Sequence, residues 1–409
     1  MINRAKKIGK DPLYHNSFYI MAASVVSSGF GFLFWILAAK LYPKEDVGLG
    51  TALISSMSLL ILLTRFGFDA SLIRYMPAGD RIKAYSTALT VTTVAAFLAG
   101  AIYILGINIL SSQLSFLKDP VYAALYILFL CASSIGAITS NAFLALREGK
   151  YYLLQSLLMG SRLIFLIPLI GYGLLGLYSS FGAAYLITAF TLILLIILKG
   201  IKPHITADKK FLQESWKYSA GNYLAGLLSG APALVLPIMI LNLLGAEQAA
   251  YYYIAYSIAA ILYMIPAAVS TSLFVEGSHD AALKRTVLKS IKSIYVILIP
   301  ATLVLYFGGG VLLSAIGKDY DTGALELIKT LILAGIFMAP VSIYYSIKKI
   351  QKEVKDMMIF TAIQSVLLIG LPYALIQQYG IIGAGWGWIA AYGIMTLLIA
   401  ADAKKNKWL

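Results

Sequence analysis

Twelve apolar segments follow one another along the 409 residues, at about 18–41, 47–73, 85–110, 121–146, 151–172, 175–198, 218–244, 250–274, 294–316, 325–347, 357–377 and 381–401. Each is about as long as a helix that crosses a hydrocarbon core of ~30 Å. Hydrophobic residues make up 60% of the chain and charged residues 12%, against ~45–50% and ~25% in soluble domains. A soluble core is thereby excluded. The expected fold class is all-α, a polytopic membrane protein of twelve transmembrane helices.

The basic residues alternate from loop to loop. Most of the 32 lysines and arginines lie at the two ends and in every second loop, whereas the intervening loops hold Lys40, Lys44, Lys118 and Lys318. By the positive-inside rule the basic side is cytoplasmic, so both termini of this multi-pass protein are expected on the cytoplasmic face of the cell membrane. The formal net charge of +14 reads as this asymmetry plus attraction to anionic membrane lipids, and nothing in it points to nucleic acid. Cys131 stands alone within an apolar segment, which excludes an intrachain disulfide and argues against a thiolate metal site. His15, His204 and His279 have no metal-ligand spacing and no catalytic companions. The first apolar run exceeds a signal-peptide core and reads as a first span.

The chain also repeats itself. Gln155-Ser-Leu-Leu158 returns as Gln364-Ser-Val-Leu367, Tyr172-Gly-Leu-Leu-Gly176 as Tyr379-Gly-Ile-Ile-Gly383, and Ala183-Ala-Tyr185 as Ala390-Ala-Tyr392. Leu117-Lys-Asp-Pro120 has its counterpart in Gly317-Lys-Asp-Tyr320, and the basic start, residues 5–13, matches residues 208–216. The expected domains are 1–200, an N-terminal surface segment (1–17) and six spans, and 201–409, six more spans preceded by a cytoplasmic surface helix at about 203–217. An even number of spans per half gives both copies one orientation, related by an axis along the membrane normal. Two pseudo-symmetric six-helix bundles around a central cleft, rocking in alternating access, is the architecture this implies.

One span carries a charge at depth. Eleven residues separate Tyr151 from Arg162, so the guanidinium lies ~16 Å into the hydrocarbon at helical rise. A charge there is costly and points to a pathway for an anionic or polar ligand; the plain alternative is an arginine held structurally inside the first bundle. The second repeat has only apolar residues opposite it. Arg65 lies ~27 Å along the second span from Val47, at a depth from which it can reach the headgroups. Asp69 follows on the same helical face, so an Arg65–Asp69 pair would account for both; the functional reading of Asp69 is binding of a proton or Na+ that couples transport to a gradient. Arg74 reads first as an interfacial anchor, and Lys329 as the partner of Glu326, with substrate contact the second reading of each. Tyr251, Tyr252 and Tyr253 are expected in an interfacial aromatic belt. Tyr256, Tyr263 and Trp35 could stack on sugar, but belt or packing roles are the simpler assignment. Pro232 and Pro237, with Pro266, Pro300, Pro340 and Pro372, fall within spans of the second half, which is therefore expected to bend during gating.

The end of the first span, Leu41-Tyr-Pro-Lys-Glu-Asp-Val-Gly48, the end of the second, Phe66-Gly-Phe-Asp-Ala-Ser-Leu-Ile-Arg74-Tyr, and the repeated Gly-[Leu/Ile]-[Leu/Ile]-Gly together resemble the polysaccharide transporter branch of the multidrug/oligosaccharidyl-lipid/polysaccharide flippase superfamily. The resemblance covers the whole chain. It implies a fold like that of the multidrug and toxic compound extrusion transporters, and translocation of polyprenyl-pyrophosphate-linked oligosaccharide from the cytoplasmic to the outer leaflet. It implies no cofactor beyond a coupling ion, with a polysaccharide polymerase or glycosyltransferase as candidate partner. A monomer is expected, since two lobes already form the cleft. For such a cargo, Arg162 and Arg65 are the pyrophosphate candidates, because the planar fork of arginine donates two hydrogen bonds to phosphate oxygens.

The nearest rival is a cation-coupled drug antiporter of the same superfamily. It would want acids in the cleft, and here the deepest charge is an arginine. A lipid II flippase usually has two further spans. A polytopic glycosyltransferase or ligase needs acids, histidines or arginines gathered on a sizeable outer loop, and the outer loops here are short.

Overall fold

The computed structural model describes residues 12–277, 283–317 and 320–405; most of the basic N-terminal surface segment, and His279, lie outside them. The described residues form helices and no strand. The chain divides into two compact units, Met1–Leu227 and Leu228–Leu409. The first holds α1 (Pro12–Leu41), α2 (Lys44–Thr64), α3 (Phe68–Tyr75), α4 (Arg81–Leu105), α5 (Ile107–Leu110), α6 (Pro120–Ala145), α7 (Gly149–Met159), α8 (Arg162–Leu166), α9 (Gly173–Leu198) and the start of α10 (Lys209–Leu244). The second holds the rest of α10, α11 (Ala246–Gly277), α12 (Leu283–Ile316), α13 (Tyr320–Ile350), α14 (Val354–Tyr379) and α15 (Ile382–Lys405). Residues 201–208 are not helical, and from Lys209 the chain is already part of α10.

Among the described residues 11 helices are long and apolar enough to cross a membrane. The remaining expected span, 151–172, is present in pieces, as α7, α8 and a 3-10 turn over Ile170–Tyr172. Local chemistry sets several helix starts. The Asp80 carboxylate accepts from the amides of Ile82 and Lys83, both at 3.1 Å, and the Asp119 carboxylate accepts from the amide of Val121 at 2.9 Å, with Pro120 in the first helical turn. Such caps contribute about 1 kcal/mol each.

In the first unit α6 packs against α4, α9 and α3, and α1 lies along α7. In the second, α13 packs against α11, α12 and α15. Polar groups turned inward pair across helices, as where the Tyr126 and Ser56 hydroxyls meet at 2.8 Å and those of Tyr85 and Thr139 at 2.8 Å, the usual way such groups are accommodated in membrane bundles. Leu105, Ile164 and Phe307 are largely exposed, which suits a surface facing lipid.

The second expected span, 47–73, is not one helix. It stops at Thr64, turns through Phe66 (φ 48°) and Gly67 (φ 74°) and resumes at Phe68. A Cβ at Gly67 would crowd Ser219, so the site needs glycine both for its left-handed φ and for the close approach of α10.

The sequence repeat has a physical basis. Gly173 and Gly380 both have positive φ, 54° and 60°, and a Cβ at Gly176 or Gly383 would strike a backbone carbonyl, that of Leu169 or Leu375. A second repeated joint follows α6 and α13. Arg147 and Lys352 take left-handed φ, 59° and 60°. The amide of Glu148 donates to the Phe143 carbonyl at 2.9 Å, and that of Glu353 to the Lys348 carbonyl at 3.0 Å, the bond that closes a Schellman motif. Pro168 falls in the gap after α8, but the prolines of the second half do not mark interruptions: α10 to α14 run through Pro232, Pro237, Pro266, Pro300, Pro340 and Pro372, and two further breaks lie in the first unit at Gly67 and Gly160.

Candidate functional site

Arg162 stands at the break in the fifth span. Helix α7 ends at Met159, and the chain passes Gly160 and Ser161 in a tight turn in which the Ser161 amide donates to the Leu158 carbonyl at 3.0 Å and the Leu163 amide to the Gly160 carbonyl at 3.0 Å. Gly160 is fixed by packing, since a Cβ there would enter the ring of Phe30 on α1. Helix α8 then lasts a little over one turn before Pro168, which offers no amide hydrogen. The Ile170 amide donates to the Ile167 carbonyl at 3.3 Å and not to that of Leu166, which accepts from the Tyr42 hydroxyl at 2.7 Å. Burial, with the Asp46 charge adding to it, pushes the Tyr42 phenol up to about 12, so it remains a donor at every physiological pH.

This broken path places Arg162 among aromatic side chains. The residue is 9% exposed. Its guanidinium carbon lies 4.6 Å from the ring centre of Phe181 on α9 and 5.5 Å from that of Phe34 on α1. Phe34 meets Phe181 edge-on at 4.6 Å and Trp35 at 5.2 Å, and Tyr185 adjoins Phe181 at 6.1 Å. The ring faces supply part of the stabilisation a buried cation needs, about 0.5–2 kcal/mol each. The ring contacts hold the planar guanidinium in place.

Arg65 ends α2, half-buried, with its Nε buried and without a hydrogen-bond partner. The expected Arg65–Asp69 pair is not formed: among the described residues no ion pair joins them, because Phe66 and Gly67 turn the chain between them. The Asp69 carboxylate instead accepts from the Ala70 amide at 3.1 Å, in the first turn of α3. Arg74 is exposed and lies 4.2 Å over the ring of Tyr218. Lys329 is bonded to Glu326 at 2.7 Å and lies 5.6 Å from the Tyr306 ring centre. Pro232 and Pro237 lie inside α10. Arg162 with its rings, and Arg65 with Asp69 near the break in the second span, are thus separate groups within the first unit.

Two features of the second unit were not anticipated. Tyr251 and Tyr252 are buried and not belt residues; with Tyr256, Tyr263, Trp388 and Tyr392 the second unit builds an aromatic core in which Tyr263 stacks on Trp388 at 5.7 Å and Tyr252 on Tyr256 at 5.9 Å. Trp388 and Tyr392 are the repeat counterparts of Phe181 and Tyr185. Lys348, just past the end of the expected span 325–347, is fully buried and bound by Glu353 at 2.5 Å, Asp356 at 2.9 Å and Asp402 at 3.2 Å. The readable signal was three acids standing among lysines on the basic side of the membrane.

The family profile described as polysaccharide biosynthesis protein matches residues 13–275. The chain belongs to that family. Relatives of the family member include the "Putative O-antigen transporter" of Shigella flexneri, 25% identical over 175 residues that make up 42% of this chain and 40% of that one. An uncharacterized membrane protein of Methanocaldococcus jannaschii is 23% identical across 96% of this chain and 83% of its own length. Among solved structures, the fold is shared with the lipid II flippase MurJ in an inward closed conformation (TM-score 0.77, 16% identity, 94% of this chain and 87% of that one). It is also shared with an inward-facing multidrug resistance MATE transporter of the MOP superfamily (TM-score 0.70, 14% identity, 95% and 99%).

Proposed function

We propose that the protein is a flippase that moves polyprenyl-pyrophosphate-linked oligosaccharide from the cytoplasmic to the outer leaflet of the cell membrane, for assembly of cell-surface polysaccharide. The observation that carries this reading is the guanidinium of Arg162, buried within a spanning segment and packed against the adjoining rings of Phe34 and Phe181, in a chain of the polysaccharide biosynthesis family. A pyrophosphate is the part of such a cargo that a buried arginine fork can recognise. A cationic drug would find repulsion there.

In this reading Arg162 binds the pyrophosphate. Arg65 is the second contact, nearer the side on which the cargo loads, while Arg74 and Lys329 act at the membrane surfaces. The cycle is alternating access between the repeats 1–200 and 201–409, with flexing at Pro232 and Pro237 and with Asp69 as the group that takes up H+ or Na+. The termini are cytoplasmic, the protein works as a monomer, and the product passes to a polymerase or glycosyltransferase.

The test is mass spectrometry of lipids that co-purify from the native host with wild type and with Arg162→Ala. Enrichment of a polyprenyl-pyrophosphate glycan that is lost in the variant is expected. Its retention by both reduces Arg162 to a structural charge, and enrichment of a cationic small molecule in its place favours the antiporter.

A further inference from the structure

An apolar groove opens on the first unit beside the break in the second span. Phe66, Phe68, Val91, Leu212, Ser215 and Trp216 enclose about 290 Å³. The acids of this region lie elsewhere: Asp80, Asp208 and Glu214 line a different cavity, with Lys83 and Lys210. Trp216, 60% exposed, stands among Lys209, Lys210 and Lys217 at the start of α10, the setting of a membrane–water interface. An apolar crevice at that level fills with hydrocarbon, because water in it would have few polar partners.

Two polar groups show what kind of hydrocarbon. Ser215 is 2% exposed, and its hydroxyl has no hydrogen-bond partner among the described residues, although buried hydroxyls are nearly always paired. Arg65 immediately precedes Phe66, and its Nε is likewise buried without a partner. A donor in the groove and a cation beside it call for a chain whose head carries ester oxygens and a negative charge.

We propose that the groove seats one acyl chain of an anionic phospholipid, with the phosphate on Arg65, in place of the cargo contact given to that residue above, and an ester oxygen accepting from Ser215. The bound lipid braces the turn at Phe66 and Gly67, and with it the approach of α10 to α3, where the Ser71 and Ser219 hydroxyls meet at 2.5 Å.

The experiment is native mass spectrometry of the delipidated full-length protein titrated with phosphatidylglycerol or phosphatidylcholine of matched chains. Wild type is expected to bind its first phosphatidylglycerol about tenfold more tightly than phosphatidylcholine. Arg65→Gln should erase the preference and leave phosphatidylcholine binding as it was. Val91→Trp, which fills the groove, should weaken both about tenfold; Ser215→Ala, too small a change to disturb folding, should weaken both a few-fold. Equal affinity of wild type for the two lipids, or an unchanged preference in Arg65→Gln, overturns the site. Displacement of phosphatidylglycerol by equimolar polyprenyl diphosphate also overturns it, by giving the groove to the transported cargo.

Discussion

In the first unit, the joint after α6 closes on Phe143 against Tyr151, ring centres 4.3 Å apart, with Leu195 packed on the same apolar cluster. In the second, the matching joint after α13 closes on Lys348, Asp356 and Asp402. The correspondence is close: Phe143 and Lys348 receive the same backbone hydrogen bond, Tyr151 and Asp356 follow Glu148 and Glu353 alike, and Leu195 and Asp402 stand equally far beyond Tyr185 and Tyr392. One backbone design therefore carries a buried phenylalanine in one copy and a buried lysine with its acids in the other, while nearer the surface the first copy is ionic as well, Glu148 pairing with Lys199 and with Lys150. Deep in each unit the contrast is reversed. The first encloses a guanidinium in its rings, and the second lets Tyr256, Tyr263, Trp388 and Tyr392 close on themselves. Duplication kept the frame, and the buried cation stands at the end of one unit, at Lys348, and in the depth of the other, at Arg162.

The largest effect is expected at the ionic joint. Lys348→Phe leaves the carboxylates of Asp402 and of the more exposed Glu353 and Asp356 without their cation and should give the largest loss of stability of the set, read as a fall in the thermal unfolding midpoint in detergent. Lys348→Phe combined with Asp356→Tyr and Asp402→Leu installs the side chains of the first unit and should recover most of that loss, since apolar replacement of a complete buried ion cluster is often neutral. A triple variant no more stable than the single one would break the equivalence of the joints.

Gly176→Ala and Gly383→Ala should each cost about 1–3 kcal/mol through overpacking against a carbonyl, and by similar amounts, because the close approach is the same in both units. A cost in one unit alone would show the repeat to be nominal there. Arg162→Gln should lower stability less, by about 1–2 kcal/mol from lost ring contacts, while abolishing cargo retention.

The smallest effect concerns Glu148. Partial burial pushes its carboxyl up, but the hydrogen bond and charge of Lys199, with the charge of Lys150, outweigh this and hold it below its ordinary value of 4.5. Its contribution to stability is therefore complete above pH 4.5 and is lost as pH falls through the lowered value. Stability measured against pH should lose this acid-limb slope in Glu148→Gln, and an unchanged acid limb in that variant would remove the ion pair from the account.

The spans were legible because lipid demands long apolar runs. The repeat was legible because Gly176 and Gly383 admit no side chain and so leave the same letter twice. Arg162 was legible because a charge inside an apolar run has few innocent explanations. The breaks at Phe66–Gly67 and Gly160–Ser161 were not: neither contains proline, and both lie in stretches apolar enough to pass for continuous helix. Apart from Pro168, the prolines inside spans pointed to the other unit, where spanning helices absorb them. Lys348 was hidden for a different reason, since one of its acids, Asp402, is remote in sequence and loop counting treats every terminal lysine as solvated.

The most direct test of the central claim is reconstitution of the purified protein into liposomes, with translocation of a polyprenyl-pyrophosphate-linked oligosaccharide followed by its exposure to an external glycan-modifying enzyme. Wild type should move the lipid at a rate well above protein-free vesicles. Arg162→Gln should fall at least about tenfold, with Arg162→Lys between them because it keeps the charge and loses the fork. Translocation by Arg162→Gln at the wild-type rate would contradict the account and make the arginine a structural element of the first unit.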